Sequence, residues 1–180
     1  EGDEDDVERV LTEVSGDRLI IRHEIWRFRF SDFSGKVNVY ITLPELDGLS
    51  VSGSGKAELI SDIRNSDHLD LSVSGSGKLY VEGVETDDLE CSISGSGDII
   101  IGSAGSADRG DITISGSGGY SGKSLEIDHL NVRVSGSGSC LCKAGDSLTA
   151  RISGSGNVTY YGNPRIDSRA SGSGRIRSAD

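Results

Sequence analysis

The tetrapeptide Ser-Gly-Ser-Gly occurs seven times in this chain of 180 residues. Successive copies are separated by 22, 20, 21, 20, 18 and 18 residues, and their flanking residues stay in phase. The first serines of the copies are Ser52, Ser74, Ser94, Ser115, Ser135, Ser153 and Ser171. A self-similar period of this length predicts a repeat architecture, in which one structural unit recurs along the chain.

The glycine content disfavours a helical fold. The chain has 26 glycines and no methionine, and each glycine in a helix interior costs about 1 kcal/mol relative to alanine. A composition rich in glycine and serine is also typical of disordered linkers, but disordered segments lack a fixed apolar rhythm. The flanks of the tetrapeptides therefore decide between a linker and a folded repeat.

Apolar residues occupy every second position on both sides of the tetrapeptide. One position before its first serine stand Val51, Val73, Ile93, Ile114, Val134, Ile152 and Ala170. Three positions before the first serine stand Leu49, Leu71, Cys91, Ile112, Val132, Ala150 and Ser168. Five positions before it, five of the copies have Leu69, Leu89, Leu130, Leu148 and Ile166. Five after stand Ala57, Leu79, Ile99, Tyr120, Cys140, Val158 and Ile176, and seven after stand Leu59, Val81, Ile101, Gly122, Cys142, Tyr160 and Ser178. This period of two predicts a half-buried strand on each side of the motif.

A unit of 18 to 22 residues cannot bury these side chains alone, whereas stacked units place each one about 4.8 Å from its counterpart. We therefore predict an all-β fold, a single-stranded parallel β-helix (β-solenoid) of about seven to eight coils. The handedness of parallel crossovers favours right-handed coils. Left-handed hexapeptide solenoids are the competing geometry, but no six-residue sub-period is evident. Both glycines of each tetrapeptide are expected to face inward at a corner between two strands, and both serines outward.

Residues 49–180 are predicted to form the seven Ser-Gly-Ser-Gly coils, and residues 1–48 an atypical N-terminal part of the same single domain, 1–180. Strands are expected there at residues 18–21, 25–30 and 37–41. Ser34-Gly35-Lys36 matches a later copy, which indicates a degenerate first coil. Terminal coils are usually atypical because they cover an open end. The aromatic residues that fit such a cap are Trp26, Phe28, Phe30 and Phe33.

An acidic residue stands seven positions before six of the seven tetrapeptides. This acidic column comprises Glu45, Asp67, Asp87, Asp108, Asp128 and Asp146. Stacked carboxylates about 5 Å apart repel each other unless a cation bridges them, so one interpretation is a row of weak Ca²⁺ sites. We favour a structural interpretation, in which each aspartate begins a strand through an Asx-turn. The glycine- and aspartate-rich nonapeptide of calcium-binding β-rolls does not occur.

The remaining candidates for chemistry also favour structural roles. The serines of the tetrapeptides form an outward hydroxyl stripe that could bind sugar, but they lack the Gly-x-Ser-x-Gly spacing of a nucleophile elbow. Asp87, Asp88 and Asp108 are the candidates for general acid and base chemistry, and one adjacent acidic pair on a turn is weak support for it. No catalytic residue and no cofactor is therefore predicted.

Neither the histidines nor the cysteines have the spacing of a metal site. His23, His68 and His129 are expected on solvent-facing loops. His68 and His129 share a repeat column but lie three coils apart, about 14 Å, so they cannot bind one metal. The three cysteines are expected to be buried free thiols that act as small hydrophobic residues. They are Cys91, Cys140 and Cys142.

Charge and hydropathy exclude several classes of protein. A net charge of -11 repels phosphate backbones, so nucleic acid is not an expected partner. No apolar run reaches about 18 residues, so no transmembrane segment is expected. The chain opens on acidic residues, and a secretory signal is therefore expected to be absent from it. Residues 151–180 carry five arginines and two aspartates. This basic end on an acidic body indicates a partner or self-association through the solenoid ends.

These features resemble the head GIN domain family of auto-transporter adhesins, common in Bacteroidetes. The likeness rests on Val14–Ile21, Val37–Pro44 and the repeats from Leu49 onward. It implies a right-handed parallel β-helix that is pectin-lyase-like in general architecture, without the catalytic residues of pectin lyases. It also implies a periplasmic or cell-surface location and a role in adhesion. The resemblance implies no catalytic residue, because the family has no established catalytic set.

Three functions follow from these observations. The first is a non-enzymatic, extracytoplasmic adhesion or scaffold module of the bacterial cell envelope, whose partner would be an envelope protein or glycan. The second is a β-helix that binds or cleaves polysaccharide. The third is a repeat protein stabilised by calcium on the acidic column. A fold hosts many functions, so the exposed faces of the coils have to distinguish them.

Overall fold

The computed structural model describes residues 1–23 and 36–180. The chain divides into two compact units, Glu1–Pro44 and Glu45–Asp180, and the single domain expected over 1–180 stays a prediction. No helix within the described ranges has the length and apolar composition needed to cross a bilayer. The predicted strand at 25–30, the aromatic cap and Ser34-Gly35 of the degenerate coil lie outside the described residues.

The first unit contains a short helix, α1 (Glu4–Val7), and an antiparallel hairpin of β1 (Val10–Ser15) and β2 (Arg18–His23). The carboxylate of Asp3 caps α1 by accepting a hydrogen bond from the N–H of Asp5 at 3.2 Å, which satisfies a free donor of the first turn. Strand β2 confirms the strand expected at 18–21. The strand expected at 37–41 is wrong, because those residues form no strand. Among the described residues, their backbone pairs between Asn38 and Glu1.

The second unit is a parallel β-solenoid of about six turns. Its strands are β3 (Gly48–Gly53), β4 (Lys56–Leu59), β5 (Ile63–Gly75), β6 (Lys78–Val81), β7 (Val84–Gly95), β8 (Asp98–Ile101), β9 (Gly105–Gly116), β10 (Gly119–Gly136), β11 (Ser139–Gly154), β12 (Asn157–Tyr161), β13 (Arg165–Gly172) and β14 (Arg175–Ser178). The β-solenoid prediction is confirmed, with slightly fewer turns than expected because the first and last tetrapeptides belong to incomplete turns. The right-handed sense of the coils stays a prediction.

Parallel pairing brings all seven tetrapeptides into register. The segments before the corner form a sheet, here called the front sheet, in the order β3, β5, β7, β9, β10, β11, β13. The segments after the corner form a rear sheet from β4, β6, β8, the beginnings of β10 and β11, β12 and β14. Each residue of one coil therefore lies over the equivalent residue of the next, as stacking requires.

The predicted apolar columns form the core of the solenoid. In the central coils they are buried, and Leu71, Ile112 and Leu148 are completely inaccessible to solvent. Further core residues come from the third side of the coils, between the rear and front sheets. They are Val84, Ala107, Leu125, Ile127 and Ala144. The period-two pattern does not reveal them, because their distance from the next tetrapeptide varies with bulges such as the register shift between Ile127 and His129.

The last coil is thinly packed, as its sequence predicts. Ser168, Ala170 and Ser178 occupy core columns with small or polar side chains and are exposed. Every residue of β13 is exposed. Burial of apolar surface is the main stabilising contribution to stacked coils, so this coil contributes less to stability than the central ones.

Candidate functional site

Each corner of the solenoid is made by the first glycine of a tetrapeptide. All seven of these glycines have positive φ, from 86° at Gly53 to 125° at Gly116, a region that side chains with a Cβ rarely adopt. The ladder continues through the corner, since the N–H of Ser76 donates to the carbonyl of Gly53 at 2.8 Å. Both serines of every copy are exposed, which confirms the predicted orientation. The tetrapeptide is thus structural, and its hydroxyls border an outward surface.

That surface is the outward side of the front sheet, here called the polar face. Two positions before the tetrapeptides it displays Ser50, Ser72, Ser92, Thr113, Arg133, Arg151 and Arg169. Four positions before, it displays Gly48, Asp70, Glu90, Asp111, Asn131, Thr149 and Asp167. We call Arg133, Arg151 and Arg169 the arginine ladder, and Asp70, Glu90 and Asp111 the carboxylate ladder. The two ladders occupy different halves of the same face.

Side chains on the polar face contact their neighbours across coils. The hydroxyls of Ser50 and Ser72 are hydrogen-bonded at 2.7 Å. Arg133 Nη1 lies 3.2 Å from Asp111 Oδ1, and Arg151 donates from Nη1 and Nη2 to the two carboxylate oxygens of Asp167 at 3.2 and 2.5 Å. The hydrogen bond from Arg151 lowers the pKa of Asp167 and raises that of Arg151. The guanidinium groups therefore lean toward the column four before the tetrapeptide.

The arginine ladder lines a shallow depression of about 470 Å³ that is open to solvent. Its other polar lining comes from Thr113, Ser115 and the tetrapeptide serines of the last coils. The lining also includes Ile114, Val134 and Ile152. The guanidinium groups and hydroxyls at the border of the depression can bind a carboxylate or sulfate through paired hydrogen bonds. It contains none of the acid and base candidates, so this surface is suited to binding and does not supply proton-transfer groups.

The three acid and base candidates lie close to one guanidinium group. Arg109 forms a bidentate ion pair with Asp88, with Nε–Oδ1 and Nη2–Oδ2 distances of 2.6 and 2.8 Å. Its pKa is raised chiefly by that hydrogen bond, and the charges of Asp108 and Asp87 contribute. The hydrogen bond from Arg109 lowers the pKa of Asp88. A general acid working near neutral pH needs the opposite shift, so Asp88 is suited to a structural ion pair.

The structure places the acidic column at the surface of the coils. Its six carboxylates are exposed. Across residues 1–23 and 36–180, no three His, Cys, Asp or Glu side chains converge in a way that could hold a metal ion. The prediction that each aspartate of the column begins a strand is wrong. The strands that contain them begin earlier and continue through them; these are β5, β7, β9, β10 and β11. Asp128 lies at a register shift between β10 and β11, so strict stacking of the carboxylates is interrupted there.

The histidines are exposed as expected, but the prediction that they lie on loops is wrong. His23, His68 and His129 lie in strands β2, β5 and β10. His129 Nδ1 is 3.0 Å from the hydroxyl of Ser147 in the next coil. The strands extend further from the tetrapeptide than the apolar columns indicate, because backbone pairing continues through the polar positions.

The three cysteines are buried free thiols, as predicted. Burial raises the pKa of Cys91, and a hydrogen bond with Cys142 together with burial raises the pKa of Cys140. Thiols react as thiolates, so a raised pKa makes them inert.

The sequence interpretation missed the arginine ladder, although the signal is present in the aligned repeats. Reading the outward positions, and not only the apolar ones, would have found it.

Comparisons with known proteins agree with this architecture. The family model described as "Putative auto-transporter adhesin, head GIN domain" matches residues 1–164. Among solved structures, a putative adhesin from Parabacteroides merdae is 25% identical with a TM-score of 0.76, covering 99% of this chain and 81% of that one. A putative lipid binding protein from Parabacteroides distasonis is 26% identical with a TM-score of 0.76, covering 99% and 82%.

A putative adhesin from Bacteroides fragilis shares the fold alone, with 23% identity and a TM-score of 0.81 over 96% of this chain and 77% of that one. None of the curated proteins compared with the chain matches it. The solved relatives therefore support the fold across nearly the whole chain, and they identify no binding residue.

Proposed function

The chain belongs to the family of putative auto-transporter adhesins with a head GIN domain, and from this premise we propose that it is a non-enzymatic adhesion or scaffold module. The polar face is the observation that carries this proposal. It presents hydroxyl, carboxylate and guanidinium columns in register over seven strands of one sheet. Such a solvated surface suits binding to an extended partner, because its columns of polar side chains run along the axis of the solenoid over several coils.

Location outside the cytoplasm, in the periplasm or at the cell surface, is part of the proposal. The family description and the Bacteroidales source of the solved relatives support it. The partner proposed is an envelope protein or glycan. We do not extend lipid binding to this chain, because the interior of the described coils is filled by the side chains of the apolar columns.

Polysaccharide cleavage is the less favoured function. The candidate carboxylates surround Arg109, which holds Asp88 in its ionised form. Glycoside hydrolysis needs one carboxyl that donates a proton and a second that acts as base or nucleophile. The ion pair with Arg109 lowers the pKa of Asp88 and so opposes its use as the proton donor.

Adhesion and enzymatic activity can be separated by one pair of measurements. Beads coated with the full chain should bind to a glycan array or to bacterial envelope extracts, and a hydrolase and lyase screen on the bound glycans should show no turnover. Asp87→Asn should leave adhesion unchanged. Turnover that Asp87→Asn abolishes would contradict the adhesion-only proposal and support the enzymatic one.

Structural calcium can be tested separately. The thermal unfolding temperature should be the same with a calcium chelator and with added Ca²⁺, because the described carboxylates do not converge on a metal position. A ligand that binds the folded state raises its stability by mass action. A large upward shift with Ca²⁺ that Asp128→Asn removes would therefore support the calcium-stabilised alternative.

A further inference from the structure

The polar face separates opposite charges along the axis of the solenoid. The carboxylate ladder lies on β5, β7 and β9, and the arginine ladder lies on β10, β11 and β13. All six side chains belong to exposed or half-buried residues. Successive members of a ladder are one coil apart, about 4.8 Å. One half of the face therefore carries mostly carboxylates and the other mostly guanidinium groups, with Asp167 as a carboxylate among the arginines.

A face with this arrangement is complementary to itself. We consider two copies that meet face to face about a twofold axis lying in the interface, parallel to the strands and between β9 and β10. The rotation reverses the order of the coils and sets each arginine coil against an acidic coil of the second copy. The opposed strands are β10 and β9, β11 and β7, and β13 and β5. The rotation keeps each position along the strand, so Arg133, Arg151 and Arg169 lie two residues, about 6.6 Å, along the strand from Asp111, Glu90 and Asp70 of the second copy. In the carboxylate column Asp70 is opposed to Asp167, which Arg151 already binds. Twofold symmetry repeats every one of these contacts.

The observed arginine conformations fit this arrangement. Arg151 already reaches Asp167, in the column four before the tetrapeptide, and Arg133 reaches Asp111 in the same column. Their guanidinium groups thus lie over the strip that would face the carboxylate ladder of a second copy. A guanidinium has five N–H donors, so these contacts within one copy leave donors for a carboxylate of another.

The rest of the face permits close approach of two copies. Beside the carboxylate ladder stand the small hydroxyl residues Ser72, Ser92 and Thr113. Six opposed strands at about 4.8 Å and eight residues at about 3.3 Å each give roughly 760 Å² per copy, which is close to the size of a standard protein interface. The contacts are mostly ionic and exposed, so the association should weaken with salt.

We propose that the polar face is a homotypic interface on which a second copy of this chain docks with its solenoid axis antiparallel to that of the first. Charge complementarity and area select a second copy as the occupant. This adds a partner and a surface to the chain without depending on the proposed adhesion function. The competing occupant of the arginine ladder is an anionic glycan, which the experiment below distinguishes.

Charge exchange tests the interface directly. Arg151→Glu and Glu90→Arg are made singly and together in the full chain, and self-association is measured by analytical ultracentrifugation at low and high salt. The unchanged chain should dimerise at low salt, and each single variant should associate at least about tenfold more weakly, since each creates two like-charge contacts in a twofold dimer. A mixture of the two single variants should form a heterodimer, and the double variant should recover the homodimer.

Arg177→Glu and Glu58→Arg are the matched controls, because they change the charge equally on the rear sheet and should leave dimerisation unchanged. Circular dichroism melts verify that all variants fold. The proposal would be overturned if the unchanged chain were strictly monomeric at low salt. It would also be overturned if the single variants associated as strongly as the unchanged chain, or if a mixture of the two single variants formed no heterodimer. Binding of polygalacturonate that Arg151→Glu abolishes, without self-association, would assign the ladder to an anionic glycan and also overturn it.

The homotypic interface and the proposed adhesion surface are the same polar face, so adhesion is also measured at chain concentrations at which ultracentrifugation finds monomers. A monomeric chain whose coated beads still adhere would overturn only the homotypic interface. A chain that dimerises but adheres to nothing even at concentrations where it is monomeric would overturn only the proposed adhesion function.

Discussion

At the scale of single residues, the two glycines of the tetrapeptide meet different requirements in different coils. Gly136 has a φ of 115°, and a Cβ there would lie 2.5 Å from the carbonyl oxygen of Gly116 in the preceding coil. Gly53, in the first coil, has a φ of 86°, and no atom of the described residues lies within 4 Å of a Cβ placed there. Gly55 also lacks a described atom within 4 Å, and its φ is not positive. Stacking, and not the turn alone, therefore excludes a side chain from the central corners.

These three glycines form a graded series of alanine substitutions. Gly136→Ala should destabilise the chain by about 2–4 kcal/mol, because it combines left-handed strain with a backbone collision. Gly53→Ala should cost about 1–2 kcal/mol from strain alone, and Gly55→Ala should lie within about 0.5 kcal/mol of the unchanged chain. Denaturant unfolding measures all three free energies. Equal losses at Gly53 and Gly136 would show that collision between coils contributes nothing.

The buried cysteines give a second prediction at this scale. Because burial raises the pKa of Cys91 and contributes to that of Cys140, neither thiol should react with iodoacetamide at pH 8 in the folded chain. Cys142 is equally buried and should be protected by lack of access. Mass spectrometry should find no alkylation before unfolding and three modified cysteines in denaturant. Rapid labelling of the folded chain would mean that the central coils open readily.

At the scale of elements, parallel strands carry most of the architecture, and their lengths exceed what the apolar rhythm indicates. Strand β10 extends over 18 residues and β11 over 16, so each runs from just after one tetrapeptide to the first glycine of the next and passes through the acidic column. Backbone pairing with the strands above and below continues where the side-chain pattern becomes polar. The ion pair between Asp88 on β7 and Arg109 on β9 is one of the side-chain links between these strands.

The pH dependence of stability should report this ion pair. Arg109 lowers the pKa of Asp88 from its ordinary value of 3.8, so the folded state binds this proton less readily than the unfolded state. The stabilisation is therefore present above the unfolded pKa and is lost as the pH falls through the lower folded pKa. The difference in unfolding temperature between the unchanged chain and Asp88→Asn should be constant near pH 6 and shrink below about pH 4.

Asp87→Asn is the matched control, because it removes the adjacent carboxylate outside the bidentate pair. It should change the pH profile less than Asp88→Asn does. A difference for Asp88→Asn that stays the same from pH 6 to pH 3 would indicate that the ion pair does not contribute to the stability of the folded chain.

At the scale of the whole molecule, stability should be concentrated in the central coils. Each coil is stabilised by its two neighbours, so repeat proteins behave as chains of nearest-neighbour contacts. Ile112 in β9 is fully buried, whereas Ile166 in β13 is 46% exposed. The two residues belong to equivalent front-sheet segments of different coils, which makes them a suitable pair for comparison.

Ile112→Ala should lower the free energy of unfolding by about 2–5 kcal/mol, because it leaves a cavity between well-packed coils. Ile166→Ala should cost less than about 1 kcal/mol, since much of this side chain is already in solvent. Urea unfolding of both variants provides the measurement. Comparable losses would mean that the last coil is packed as tightly as the centre.

The sequence alone determined the length of the coil, the corner residues and the buried sides of the front and rear sheets. It could do so because side-chain alternation and positive φ at glycine are local properties of the backbone, repeated in phase by the seven tetrapeptides. The buried cysteines and the exposed serines followed from the same columns. The thin packing of the last coil was also visible, since small and polar residues replace the apolar ones there.

Only the tertiary structure decided which side chains meet between coils. The pairing of Asp88 with Arg109, the contribution of Leu125 and Ala144 to the core, and the position of the aspartates within continuous strands all depend on register. A bulge such as the one near Asp128 shifts that register without changing the period of the tetrapeptides. The charge ladders are present in the outward columns of the aligned repeats, but only stacking sets their side chains, about 20 positions apart in the chain, next to one another.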